Sequence, residues 1–139
     1  MTAIAAELTL QLVLDDGGTL EVPSTFAYDP DDPYAITTTF RSSTGHVSWV
    51  FARDLLQEGV RRPVGEGDLT IWPTDSDSGR HVCLFLSSPS GNALLRAGQQ
   101  DVRVFLAATY DLVAAGSEQV GVELDAELAR LLASEPHTR

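Results

Sequence analysis

Leucines stand at every second position of Leu8-Thr9-Leu10-Gln11-Leu12-Val13-Leu14, the alternation of a half-buried strand. Asp15-Asp16-Gly17-Gly18 follows as a turn, and Thr19 to Val22 returns as a second strand. Pro23 marks the end of that strand or an edge position, with Thr25 to Tyr28 as a resumption. After the turn cluster Asp29-Pro30-Asp31-Asp32-Pro33, Tyr34 to Arg41 is rich in β-branched and aromatic residues and predicts a third strand. Ser42 to Gly45 is a loop. His46 to Phe51 predicts a fourth strand, with Val47, Trp49 and Phe51 on one face.

Helical composition begins at Ala52-Arg53-Asp54-Leu55-Leu56-Gln57-Glu58, with Gly59 as a stop. Pro63 to Gly67 reads as a turn. Asp68 to Trp72 predicts a fifth strand ended by Pro73, and the apolar run His81 to Leu86 a sixth, central one. Thr74 to Gly79 is a polar connection. Ser88-Pro89 suits a helix start, so a helix is expected through Asn92-Ala93-Leu94-Leu95-Arg96 to Gly98. Gln100 to Val113 predicts a further helix, with Val104, Phe105, Ala108 and Leu112 at helical spacing. Gly116 to Gly121 is a loop. A last helix is expected at Asp125 to Ala133, with Leu128, Leu131 and Leu132 on one side, followed by a frayed tail. Strands up to about Leu86 and helices beyond imply an α+β fold with an antiparallel sheet. The sequence shows no internal repeat, and 139 residues without a dividing linker fit one domain, 1–139.

Charge narrows the function. The net charge is −11, and all nine basic residues are arginine. That balance repels phosphate backbones and anionic membranes at long range. No apolar stretch reaches spanning length, and Met1-Thr2-Ala3-Ile4 lacks the basic start of a signal peptide, so a cytoplasmic protein is expected.

Candidate chemistry is sparse. The single cysteine, Cys83, excludes an internal disulfide and sits in an apolar run, which favours a buried small hydrophobe. His81, two residues away, would share its strand face, the minimum for a cysteine nucleophile. Gly65-Glu66-Gly67 is followed by Asp68, which opposes a phosphate. Asp29, Asp31 and Asp32 resemble a calcium loop only superficially, because Pro30 and Pro33 interrupt them and the glycine and glutamate such a loop needs are missing. Asp75-Ser76-Asp77-Ser78 reads as a solvated loop, and His46, His81 and His137 are scattered. Arg53-Asp54 is either a charged pair offered to a partner or, as favoured here, an aspartate near a helix start beside a locally bonded arginine. Trp49 and Trp72 read as core, with Trp49 buried under the short helix. No catalytic, cofactor-binding or metal-ligating residue is assigned, and no cofactor is expected. The chain reads as a non-enzyme.

Asp32-Pro33-Tyr34-Ala35-Ile36 with Phe40, then Val47-Ser48-Trp49-Val50-Phe51-Ala52-Arg53-Asp54-Leu55-Leu56, then Gly59, Pro63, Gly65, Gly67-Asp68 and Trp72-Pro73 resemble the SsgA-like sporulation and cell-division proteins of actinomycetes. The resemblance extends over nearly the whole chain and includes Ser87-Ser88-Pro89 and Gly91. It implies a strand-rich, curved, whirly-like sheet with C-terminal helices and no catalysis. It also implies an adaptor at the division septum that acts with the tubulin-like GTPase FtsZ and with other family members, and a homo-oligomer, a trimer. The alternative carried by the same fold is a single-stranded nucleic-acid-binding module, which the acidic charge disfavours. Gly59, Gly65 and Gly67 are expected to permit tight turns.

Overall fold

The computed structural model describes residues 2–118. Four strands, β1 (Ile4–Val13), β2 (Thr19–Tyr28), β3 (Ala35–Ser42) and β4 (Gly45–Ala52), lead into helix α1 (Arg53–Gly59). A second set, β5 (Val64–Glu66), β6 (Leu69–Ser76), β7 (Gly79–Ser88) and β8 (Gly91–Gly98), leads into α2 (Gln99–Leu112). The structure thus repeats a four-strand-plus-helix unit that leaves no repeat in the sequence. Two antiparallel meanders join into one curved sheet of order β4-β3-β2-β1-β8-β7-β6-β5. The seam is short: β1 meets β8 only at Gln11↔Arg96 and Leu12↔Leu95.

Alternation decides the inner face. Leu8, Leu10, Phe26, Tyr28, Ile36, Phe51, Ile71, Val82, Leu84, Leu95 and Ala97 point inward and are buried, and the helices pack on that face. From α2 come Val102, Phe105, Leu106 and Thr109, spaced i, i+3, i+4, i+7. Phe105 meets Phe26 edge-on, with ring centroids 5.7 Å apart. The inward stripe is therefore not the expected one, because Val104 is rotated outward and 60% exposed.

Three further expectations change. The helix foreseen after Ser88 is strand β8, paired along its length with β7 from Ser88↔Gly91 to His81↔Gly98. Ala93, Leu95 and Ala97 complete the inner face there, and that burial outweighs the helical preference of Ala, Leu and Arg. The turn foreseen at Pro63 to Gly67 contains β5, which pairs with β6 from Val64↔Ile71 to Glu66↔Leu69. Of the three signature glycines, Gly67 alone takes a left-handed turn (φ 61°), Gly65 lies within β5 and Gly59 within α1. Neither Pro23 nor Pro73 ends its strand. β2 runs through Pro23 opposite Thr9, and β6 through Pro73 opposite Val82. Each stands where the other side of its strand has no partner, because β3 pairs only with Ser24–Ala27 and β5 only with Leu69–Ile71.

Three hairpins share one turn. Ser42-Ser43-Thr44-Gly45, Ser76-Asp77-Ser78-Gly79 and Ser88-Pro89-Ser90-Gly91 each place a serine hydroxyl against the glycine carbonyl, at 3.2, 3.3 and 3.0 Å. The same serines touch the hydroxyls of Thr44, Ser78 and Ser90. The closing glycines have φ of 149°, 117° and 137°, a region costly for a side chain. The helix expected at Asp125 to Ala133 and the tail lie outside the described residues.

Candidate functional site

The reactive side chains are spent on structure. Cys83 and His81 do share a face of β7, the outer one, opposite Val82 and Leu84. However, Cys83 is buried, and burial pushes its thiol above the usual range while Arg96 pulls only weakly the other way. His81 Nδ1 lies 3.4 Å from Ser76 Oγ, so that ring faces the hairpin. A buried thiol held protonated is a poor nucleophile. The expected result is that Cys83→Ala leaves biological activity intact, and that the native thiol is alkylated far more slowly than the same thiol in denaturant. Comparable rates in both states would contradict the burial.

The acidic clusters are local too. Asp29 accepts from the Asp31 N–H through Oδ1 at 2.9 Å, which closes an Asx turn. Asp75 pairs with Arg80 at 3.6 Å across an exposed hairpin. Gly65-Glu66 is strand and Gly67 its turn, a hairpin instead of a phosphate loop.

Arg53 departs most from the sequence reading. Its side chain is fully buried, and its bonds are distant in sequence instead of local. Nη1 donates to the carbonyls of Thr109 (3.1 Å) and Val113 (2.8 Å), the open C-terminal end of α2. Nη2 donates to Glu118 Oε2 at 2.6 Å. The guanidinium lies 4.0 Å from the Tyr110 ring centroid and 4.9 Å from that of Tyr28. A cation at a helix C-terminus is favoured by the exposed carbonyl dipoles. Burial would raise the Glu118 carboxyl, but the Arg53 hydrogen bond and charge, with the Gly116 N–H, bring it below its ordinary value. Asp54, in the first turn of α1, sits as the helix dipole favours. Nothing in the sequence links Arg53 to Glu118, sixty-five positions away.

Trp49 is not fully buried as expected. It packs on the core but opens into a groove of about 360 Å³ at the mouth of the curved sheet. Phe40, Leu86 and Leu95 form the buried floor, and Leu12, Val22 and Trp49 the half-buried walls. Val47, opposite Phe40, and Leu20, opposite Leu12, stand exposed on the same face at 57% and 55%. Ser42, Ser88, Ser90 and Asn92 give the rim hydrogen-bonding capacity. Trp72 lies on the outer face opposite Cys83, half-buried. Apolar walls with a polar rim suit an amphipathic protein segment more than a charged small molecule.

Fold and surface together define a curved antiparallel half-barrel braced by helices on its inner face, with an apolar groove at its mouth. Residues 22–118 match the family described as Streptomyces sporulation and cell division protein, SsgA. The chain belongs to this SsgA family. It is 49% identical over 131 residues to the sporulation-specific cell division protein SsgB of Frankia casuarinae, covering 94% of this chain and 92% of that one. It is 44% identical over 133 residues to the SsgB of Streptomyces coelicolor, covering 95% and 97%. The crystal structure of an SsgA-like sporulation-specific cell division protein from Thermobifida fusca superposes with a TM-score of 0.85 at 41% identity, covering 93% of this chain and 95% of that one. A solved SsgB structure, from work relating SsgB mutations to longitudinal cell division during sporulation of S. coelicolor, gives 0.81 at 44% identity, covering 85% and 94%. These relatives are sporulation and cell-division proteins, and the family is not one of enzymes.

Proposed function

We propose that this protein is a non-catalytic adaptor in sporulation-specific cell division that acts at the septum by helping to localise the GTPase FtsZ. The observation that carries the reading is the kinship, along nearly the full chain, with sporulation-specific cell division proteins. The spent state of Cys83 and the open apolar surface support contact over chemistry. The same surface supports self-association and contact with other family members.

Nucleic-acid binding is the less favoured reading. Arg41, Arg53, Arg61, Arg62 and Arg80 each lie against a carboxylate of this chain, which leaves little free positive charge for a phosphate backbone. No helix among the described residues is long and apolar enough to cross a membrane, so septal placement is assigned to protein contact.

The test is co-sedimentation of purified protein with FtsZ polymers at two salt concentrations. Saturable binding is expected at both. A basic contact patch on FtsZ makes association slow as salt rises, because screening removes the attraction of the −11 net charge, whereas an apolar contact changes little. Absence of binding at both salts, with both proteins folded, would rule out direct recruitment. Tight, salt-sensitive binding of single-stranded DNA would favour the other reading.

A further inference from the structure

Arg61, Asp75, Arg80, Gln99 and Arg103 line one cavity of about 380 Å³, although they come from three separate stretches of the chain. That volume is in the usual range of small-ligand sites. Arg61 follows α1 by two residues, Asp75 and Arg80 face each other across the β6–β7 hairpin, and Gln99 and Arg103 stand one turn apart on α2. Asp75 and Arg80 keep the alternation of Ile71 and Val82, so they stand on the inner face of the sheet, past the core and between the ends of the two helices. Gln99 Nε2 donates to the Val60 carbonyl at 3.4 Å and ties the start of α2 to the end of α1. Val60 itself is buried and donates its N–H to the Leu56 carbonyl, so the walls of the cavity are set by the fold.

The charge in this corner opposes that of the whole chain. Glu58 is shared by Arg61 at 2.6 Å and Arg62 at 2.7 Å. Asp75 lies 3.6 Å from Arg80, too far for a hydrogen bond. Among the described residues no carboxylate lies within ion-pair distance of Arg103, and Asp101 faces away from it, with Val104 and Ala108 toward β1. Four arginines thus meet two carboxylates, which leaves two positive charges unmatched in a protein of net charge −11. A guanidinium fork fits the oxygens of a phosphoryl group two at a time, and a phosphoryl dianion balances the excess where a single carboxylate does not. We propose that this cavity is a binding site for one compact phosphoryl anion, a phosphate or a diphosphate, held by Arg61, Arg80 and Arg103. The excess suits a single anion and falls short of a nucleic-acid backbone.

The test is isothermal titration calorimetry of the full-length protein at low ionic strength, with inorganic pyrophosphate and a nucleoside diphosphate as the two probes. Saturable binding of one anion per chain is expected, weakening as salt is added. Pyrophosphate bound as tightly as the nucleotide assigns the site to a free anion, and tighter binding of the nucleotide assigns it to an esterified diphosphate. Arg80→Gln and Arg103→Gln are each expected to weaken binding about tenfold or more, the usual worth of a hydrogen bond to a charged group. Asp75→Asn removes the carboxylate that lines the cavity and is expected to tighten binding severalfold. Arg41→Gln makes the same change of charge on β3, beside Glu7, and is expected to leave the affinity as it was. All of these side chains are exposed, and unfolding midpoints without ligand, equal to that of the native protein, check that each variant is folded. The same loss in Arg41→Gln as in Arg103→Gln would reduce the effect to net charge and overturn the site. So would the absence of saturable binding of either probe at millimolar concentration.

Discussion

Arg53→Met is expected to destabilise the protein more than any other single change considered, by about 3–5 kcal/mol, the usual cost of removing one partner of a buried ion pair. The substitution takes the arginine from the Glu118 carboxylate, only 5% exposed, and removes the side-chain donor to the carbonyls of Val113 and Thr109, the second of which keeps the Val113 N–H. It also removes the cation from between Tyr28 and Tyr110. Since small domains are stable by only about 5–15 kcal/mol, the melting temperature should fall by on the order of 10 °C. The pH dependence has a definite sign. In the native protein the Glu118 carboxyl lies below its ordinary value of 4.5, so its stabilisation is complete above that pH and is lost as pH falls through the lowered native value. In Arg53→Met the hydrogen bond and charge of Arg53 are gone, and only backbone N–H groups, that of Gly116 among them, still oppose burial, so the carboxyl lies higher than in the native protein. A carboxyl that lies higher in the folded variant than in the native protein makes the variant's deficit larger at pH 7 than at pH 4. Adding Glu118→Leu to Arg53→Met should restore much of the loss, because an apolar pair of similar volume leaves no buried charge. Strict additivity of the two substitutions would mean that the pair is not coupled.

Gly59→Ala is the second large effect, and its sign opposes helix propensity. Gly59 closes α1, where alanine alone would add up to about 1 kcal/mol. Its missing side chain is where Ile71 sits: a Cβ there would lie 2.6 Å from Ile71 Cβ, and its methyl Cγ2 would be closer still. Ile71 cannot yield. It is fully buried, branched at the clashing atom, and paired on both sides, to Val64 of β5 and Leu84 of β7. The helix has to lift from the sheet, and overpacking of this kind costs about 1–3 kcal/mol. Denaturant unfolding should show a lower midpoint with an unchanged slope. A midpoint at or above that of the native protein would mean that α1 is free to shift on β6.

Much of the fold was legible in the sequence. β3, β4, β7, α1 and α2 lie within a residue or two of where alternation and helical period put them, and β1 ends there but starts four residues earlier, at Ile4, because each element buries one face and leaves the other in water. The sequence reading wrongly makes β8 a helix begun by Ser88-Pro89. Ser88-Pro89-Ser90-Gly91 follows the same serine, x, serine or threonine, glycine order as the hairpins at Ser42 and Ser76, and that order marks a turn more firmly than Ser88-Pro89 marks a helix start.

The candidate surface was less legible. Sequence identified the residue types of the groove but not the groove, because Leu12 and Val22 come from one meander and Leu86 and Leu95 from the other, and only the curvature of the joined sheet brings them together. Composition and local pattern determined the class of the fold, the acidic charge and the lack of a reactive motif. They could not determine the inward stripe of α2, the opening of Trp49 to the groove, or the burial of Arg53 against Glu118. Those depend on contacts between residues far apart in the chain, and local periodicity carries no information about which distant partner will desolvate a given side chain.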